Sequence, residues 1–268
     1  MRIIAIMGSP KGKGSGYKIV RMIEDRMKAQ GDVEFDYLFL KDASLKPCIG
    51  CYVCMSRSED KCPLNDDRAA IEQKLLASDG FILSSPVYVL SVSWLMKNFI
   101  DRFAYLSHRP VLHHQKMLAV VNTIVTGKKE ALSTLKIALG HDRGARIVQE
   151  LAISTPSWPQ TERVVAEKER AIDVAAKKFY LSCLDTSLPL PTFSSYMDFL
   201  VMQKFSLECR KYLPADYEYY NGKAYYYDTN PNPIKAVVAK AIVRVMTSKI
   251  KDAGPGNVQW PPSKADGS

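Results

Sequence analysis

The stretch Arg2-Ile3-Ile4-Ala5-Ile6-Met7-Gly8-Ser9-Pro10-Lys11-Gly12-Lys13-Gly14-Ser15-Gly16 decides how the rest of the chain is read. Residues 2–7 form a short, Ile-rich run that predicts a buried strand. From Tyr17 to about Lys28 the apolar residues Ile19, Met22, Ile23 and Met27 recur at helical spacing. A strand, a Gly/Ser loop and a helix in that order make a cradle for a phosphate. Backbone N–H groups and hydroxyls converge at the positive end of the helix, and Lys11 or Lys13 adds charge. The loop lacks the G-x-x-x-x-G-K-[ST] of nucleotide triphosphatases, and its glycines miss the dinucleotide pattern G-x-G-x-x-G. On this loop alone an ordinary strand-to-helix turn stays open.

Outward from this unit the alternation continues. Val33 to Leu40 predicts a second strand, and Asp66-Asp67 can cap a helix with Ile71, Leu75 and Leu76 on its apolar side. Residues 79–84 predict a third strand ending in Ser85-Pro86-Val87-Tyr88, followed by a helix over 93–106. Met117 to Val121 predicts a fourth, with Asn122-Thr123-Ile124-Val125-Thr126-Gly127 after it. A helix near 129–139, a strand near 146–153 and a helix over 161–183 complete the series. This pattern predicts an α/β fold, a doubly wound five-stranded parallel sheet covered on both faces. Ligands of such sheets sit at the carboxyl ends of the strands, near the point where the winding reverses. Here those ends carry Ser9, Lys11, Gly14, Ser15 and Gly16, then Pro86, Val87 and Tyr88, then Asn122, Thr123 and Gly127. An anion cradle, an aromatic wall and backbone donors are what a flavin mononucleotide (FMN) needs.

Between the second strand and its helix lies Pro47-Cys48-Ile49-Gly50-Cys51-Tyr52-Val53-Cys54, returning at Cys62-Pro63. The spacing C-x2-C-x2-C-x7-C brings four thiols close in sequence. Cluster-binding ferredoxin runs begin alike and also end in Cys-Pro, with a shorter last gap. Zinc sites more often use two separated C-x2-C knuckles. Three cysteines stepping by three residues suit the corners of a [4Fe–4S] cubane, which is the preferred reading; zinc, a disulfide or plain thiols remain alternatives. Cys183 and Cys209 lie far from this run and read as core thiols, and His113-His114 reads as a surface turn.

No stretch approaches the ~20 continuous apolar residues of a membrane span. The N-terminus shows no secretion-signal layout, so a cytoplasmic location, with reduced thiols, is expected. The net charge of +9 over 268 residues is moderate. With no zinc-finger, homeodomain or RRM signature, no nucleic-acid partner is expected.

Taken together, residues 1 to about 160 resemble the iron-sulfur flavoproteins, a branch of the flavodoxin-like NAD(P)H-dependent FMN reductases. The resemblance rests on Gly8-Ser9-Pro10-Lys11, the cysteine run, Asp66-Asp67, Ser85-Pro86-Val87-Tyr88, and Leu95-Met96-Lys97 through Ile100-Asp101-Arg102. It implies a flavodoxin-like domain over 1–184, with the cysteine loop at 47–63. It also implies bound FMN and a [4Fe–4S] cluster held by Cys48, Cys51, Cys54 and Cys62. NAD(P)H or a ferredoxin-type protein would be the electron donor and a small molecule the acceptor, in a homodimer or homotetramer. No side chain stands out as acid or base, in keeping with chemistry done on the cofactor. A cluster-free FMN or quinone reductase and a non-catalytic electron carrier are the alternatives.

The chain beyond residue 184 changes character. Leu188-Pro189-Leu190-Pro191 reads as a linker, and 194–212 as a helix. Asn221-Gly222 between tyrosine-rich arms predicts a hairpin over 216–228. Asn230-Pro231-Asn232-Pro233 opens a last helix with an apolar stripe of Ile234, Val237, Val238, Ala241, Ile242, Val245 and Met246. Lys235, Lys240, Arg244 and Lys249 lie off that stripe. The stripe is expected to dock on its own domain or a sister subunit, with contact of 234–250 to anionic lipid or an acidic partner as the alternative. This extension spans 185–253, and residues 254–268 read as a disordered tail.

Overall fold

The computed structural model describes residues 1–229 and 231–248. The expected tail and Lys249 lie outside the described residues. The chain divides into two units, residues 1–51 with 62–188, and residues 52–61 with the chain from Pro189 onward. The strands are β1 (Arg2–Met7), β2 (Glu34–Phe39), β3 (Gly80–Tyr88), β4 (Ser91–Val92), β5 (Lys116–Thr123) and β6 (Arg146–Ser154). The helices are α1 (Ser15–Lys28), α2 (Val53–Ser56), α3 (Arg68–Leu76), α4 (Trp94–Arg102), α5 (Lys128–Lys136), α6 (Glu162–Leu184), α7 (Phe193–Glu208), α8 (Pro214–Tyr220) and α9 (Pro233–Ser248).

In the first unit five strands run parallel in the order β2-β1-β3-β5-β6. The short β4, absent from the sequence reading, folds back antiparallel on the end of β3. Alternation along the strands sends Ile3, Ala5, Met7, Ile82, Leu118 and Val120 to one face. There they bury against Ile19, Val20, Ile23 and Met27 of α1 and Ile172, Ala176 and Phe179 of α6. The alternate residues Ile4, Ile6, Phe81, Leu83 and Met117 are also buried. They face the opposite side, where right-handed crossovers carry α3, α4 and α5. The winding reverses between β1 and β3, since the chain runs out to β2 and returns across β1. That reversal places the loops after β1 and β3 side by side.

In the second unit α7 begins with a capping box, Thr192 and Ser195 bonding each other's backbone. The expected 216–228 hairpin does not form. Pro214 at the first helical position starts α8, which runs through the first tyrosine-rich arm. Asn221 has φ −64° and ψ 127°, Gly222 has φ 74°, and the amide of Lys223 donates to the Tyr220 carbonyl at 3.3 Å. This is the geometry of a type II turn, which leaves a helix, not the type I′ turn that joins two strands. The second arm collapses around Phe199, whose ring centroid lies 5.6 Å from Tyr220, 5.6 Å from Tyr225 and 5.2 Å from Tyr226. Side-chain burial there outweighs strand pairing.

The last helix does not dock its apolar stripe on its own unit. α9 packs through Ala236, Ala239, Val243 and Thr247, which are buried, whereas Ile234, Val237, Val238, Ile242, Val245 and Met246 are exposed. Small residues let the helix approach closely, so the bulkier stripe faces outward.

Candidate flavin site and the cysteine loop

The loop after β1 is built around Ser9. Its carbonyl accepts from the Gly12 amide at 3.0 Å, and its hydroxyl accepts from the Lys11 amide at 3.3 Å. The loop then enters α1 through Gly14 as N-cap, so no side chain caps the first amides of the helix. Those amides, with the Ser9 and Ser15 hydroxyls, are donors for an anion at the positive helix end. Lys11 starts close by, its Cβ 3.8 Å from where a Gly14 side chain would begin. Lys13 is drawn off instead, its Nζ 5.7 Å from the ring centroid of Tyr17.

Gly16 joins this loop to two other strand ends. A Cβ there would stand 2.9 Å from Asn122 Oδ1 and 3.2 Å from Ser84 Oγ, closer than real side chains sit. A side chain there would have to push Asn122 and Ser84 aside, so glycine lets α1 start close against β3 and β5. Asn122 is half-buried and donates through Nδ2 to Thr155 Oγ1 at 3.4 Å, while Thr123 closes its own loop onto the Thr126 carbonyl at 2.7 Å. Gly127 has φ 82°, and a Cβ there would meet Val87 Cγ1 at 2.6 Å and the Leu90 backbone at 3.0 Å. The structure thus brings the 122–127 loop against the end of β3. Pro86 is buried, Val87 half-buried, and Tyr88 is 42% exposed at the rim.

The turn beyond Tyr88 is not foreseen by the sequence pattern. β3 and β4 pair Tyr88 with Ser91, leaving Val89 and Leu90 as a two-residue turn with φ 47° and 60°. Two consecutive non-glycine residues in the left-handed region are strained, most of all a β-branched valine. Val89 is 98% exposed, so packing does not explain it. Strain of this kind collects at binding sites. No Asn-Gly signal marks this turn in the sequence.

The cysteine loop is closed at its neck by side chains from both of its ends. Asp67 Oδ2 accepts from the Ser44 amide at 2.8 Å, Asp66 Oδ2 from the Lys46 amide at 2.9 Å, and the Asp67 amide donates to the Ser44 carbonyl at 2.9 Å. Asp67 is the N-cap of α3 by position but makes no side-chain cap bond and braces the neck instead, while Asp66 Oδ1 accepts from the amide of Arg68, the first residue of α3, at 3.2 Å. α4 supplies the rest. Asn98 accepts from the Cys48 amide at 3.0 Å and donates to the Leu45 carbonyl at 3.1 Å. Arg102 Nη2 donates to both oxygens of Asp66 at 2.7 and 2.8 Å, and Nη1 to Cys62 Sγ at 3.2 Å. Burial alone would raise the Cys62 thiol's pKa, but the Leu64 amide, Arg102 and Arg68 together lower it below its ordinary value. Asn98 and Arg102 were visible in the sequence only as parts of a longer resemblance.

Cys48 and Cys51 are exposed and Cys62 half-buried in the first unit, while Cys54 lies on α2 in the second. By donor chemistry these four thiols suit an iron-sulfur cluster. Among the described residues no three His, Cys, Asp or Glu side chains stand together as a metal site. Cys183 and Cys209 are buried core thiols, as expected, and burial pushes Cys183 up to about 12.

A parallel sheet ordered β2-β1-β3-β5-β6, with a glycine-capped helix start at its reversal, defines a flavodoxin-like fold. Comparison with known proteins narrows this. Residues 1–160 match the family of NADPH-dependent FMN reductases. An iron-sulfur flavoprotein of Methanocaldococcus jannaschii is 40% identical over 102 residues, covering 38% of this chain and 51% of that protein. One of Clostridioides difficile is 30% identical over 206 residues, covering 75% of this chain and 88% of that protein. The match thus spans about half the length of the first relative and most of the second. An FMN-dependent NADH-azoreductase from Bacillus anthracis, solved with FMN, superposes with a TM-score of 0.51 at 11% identity, over 67% of this chain and 99% of that one. The chain belongs to the NADPH-dependent FMN reductase family and groups within it with the iron-sulfur flavoproteins.

Proposed function

We propose that this chain is an FMN-dependent oxidoreductase that passes electrons from NAD(P)H or a ferredoxin-type donor to a small acceptor. The observation that carries the reading is the glycine-capped start of α1 at the reversal of the sheet, with Gly16 set against Ser84 and Asn122. FMN, when bound, takes up a hydride or single electrons. The chain's own part is to hold and shield it. Ser9, Ser15, the first amides of α1 and Lys11 would bind the phosphate. Pro86, Val87 and Tyr88 would wall the ring on one side, and the Asn122–Gly127 loop would meet its polar edge. The family's fold and the iron-sulfur relatives support this reading.

The finer part of the proposal concerns the thiols, with Cys48, Cys51, Cys54 and Cys62 as ligands of a [4Fe–4S] cluster in a cytoplasmic homodimer or homotetramer. Ligand type, spacing and the names of the relatives support it. A second reading is a reductase of the same family without a cluster. One preparation separates them. Anaerobically purified protein should carry FMN, iron and labile sulfide, and Cys54→Ala should lose the iron and keep the flavin. Stoichiometric zinc without iron in the wild type overturns the cluster. Riboflavin binding as tightly as FMN overturns the phosphate cradle, and a colourless protein that binds neither overturns the flavin assignment.

A further inference from the structure

The outward face of α9 has no counterpart in the flavin chemistry. Over Pro233–Ser248 the helix buries only Ala236, Ala239, Val243 and Thr247. Opposite that face Ile234 is 76% exposed, Val237 69%, Val245 65% and Met246 51%. At 100° per residue this apolar band covers about half the helix circumference. Lys235 lies on one edge of the band, Lys240 and Arg244 on the other, and α9 carries no Asp or Glu. Lys240 and Arg244 also line a cleft of about 490 Å³ between α9 and α7, across from Lys204, which pairs with Glu208 at 2.9 Å. Among the described residues no carboxylate pairs with Lys235, Lys240 or Arg244.

We propose that α9 is an interfacial helix that lies flat on an anionic phospholipid surface. Its sixteen residues reach ~24 Å, too short and too charged to cross a bilayer, and no helix among the described residues is long and apolar enough to do so. An apolar band rimmed by cations on both edges suits the headgroup boundary. The band enters the acyl region while Lys and Arg stems extend to lipid phosphates. A second copy pairing through its own α9 fits this face poorly. Pairing α9 with itself about a two-fold axis sets cationic edges against cationic edges, with no carboxylate on the helix to relieve them. A bilayer containing acidic lipid offers negative charge along the whole length of both edges.

The test uses the full-length, flavin-loaded protein and sedimentation with two kinds of vesicle. It should pellet with phosphatidylcholine vesicles containing phosphatidylglycerol and remain in solution with phosphatidylcholine alone. The double variant K240Q/R244Q should bind the anionic vesicles about thirtyfold more weakly, at about fivefold per charge. The variant V237D/V245D should not bind, with its flavin spectrum and far-UV circular dichroism showing that the fold persists. Should that variant misfold, the charge variant decides alone. The proposal is overturned if wild type stays in solution with both vesicles or binds both equally. It is overturned too if K240Q/R244Q binds like wild type, or if V237D/V245D dissociates an oligomer, since the face would then be covered by a second copy.

Discussion

Arg102→Leu should be among the most destabilising single changes in the first unit, and its cost can be worked from the geometry. The Arg102 and Asp66 side chains are 2% and 0% exposed, and one guanidinium nitrogen holds both carboxylate oxygens within 2.8 Å. Removing one partner of a buried pair costs about 3–5 kcal/mol, because the other charge is left without compensation. Asp66 would keep the amides of Lys46, at 2.9 Å, and Arg68, at 3.2 Å, which sets the expectation near about 3 kcal/mol. Asp66→Asn in the same background removes the stranded charge, so the double variant should regain about half of that loss. Urea unfolding of flavin-loaded protein, followed by flavin fluorescence, reports on the unit that carries the pair. Limited proteolysis should cut the 47–63 loop faster in Arg102→Leu, since its neck is released. A loss below about 1 kcal/mol, or strictly additive single and double changes, would refute the reasoning.

Three further outcomes are expected. Lys11→Ala should weaken FMN by about tenfold and leave riboflavin unchanged, the low end of a charge-assisted contact because Lys11 is exposed; equal losses in calorimetric titrations would remove Lys11 from the phosphate site. Replacing the strained turn by Val89→Asn with Leu90→Gly should raise stability by about 1–3 kcal/mol while lowering turnover of apolar acceptors; unchanged stability would mean the left-handed pair carries no strain. Glu24 is buried between Arg21, Lys28 and Tyr37. Burial opposes its ionisation, but hydrogen bonds from Lys28 and Tyr37 and the charge of Arg21 prevail and hold its carboxyl below the usual range. The stability it gives is therefore present above its unfolded value of 4.5 and lost as pH falls through the folded one; acid unfolding curves should be flatter for Glu24→Gln, and identical curves would exclude this source.

The strand, loop and helix from Arg2 to Lys28 were legible because local rules decide them. Apolar runs, helical spacing and a glycine loop need no distant partner to be interpreted. Other features depend on distant contacts. Nothing near Asn98 or Arg102 in sequence says that they hold Cys48 and Cys62, which lie 50 and 40 residues away. Asn221-Gly222 suits either a type I′ or a type II turn, and the packing of Tyr220, Tyr225 and Tyr226 on Phe199 chooses the second. The periodicity of α9 revealed two faces, but the small residues Ala236 and Ala239 determined which one packs.

One helix links the two sites that the sequence presents separately. Ser93, fully buried at the N-cap of α4, accepts from the Met96 amide at 3.2 Å and donates to the carbonyl of Gly8, at the start of the phosphate loop. Its own amide donates to Ser85 Oγ at 3.0 Å, beside the proposed ring wall. Further along α4, Asn98 and Arg102 stand four residues apart on one face and hold the neck of the cysteine loop. Nine helical residues span ~13 Å, and a helix of that length packed through Met96 and Phe99 bends little. The separation between the phosphate loop and the first cysteine is thereby set by a rigid element, not by the loops themselves. Ser93 at one end of α4, and Asn98 with Arg102 at the other, thus tie the loop after β1 and the neck of the cysteine loop to one helix.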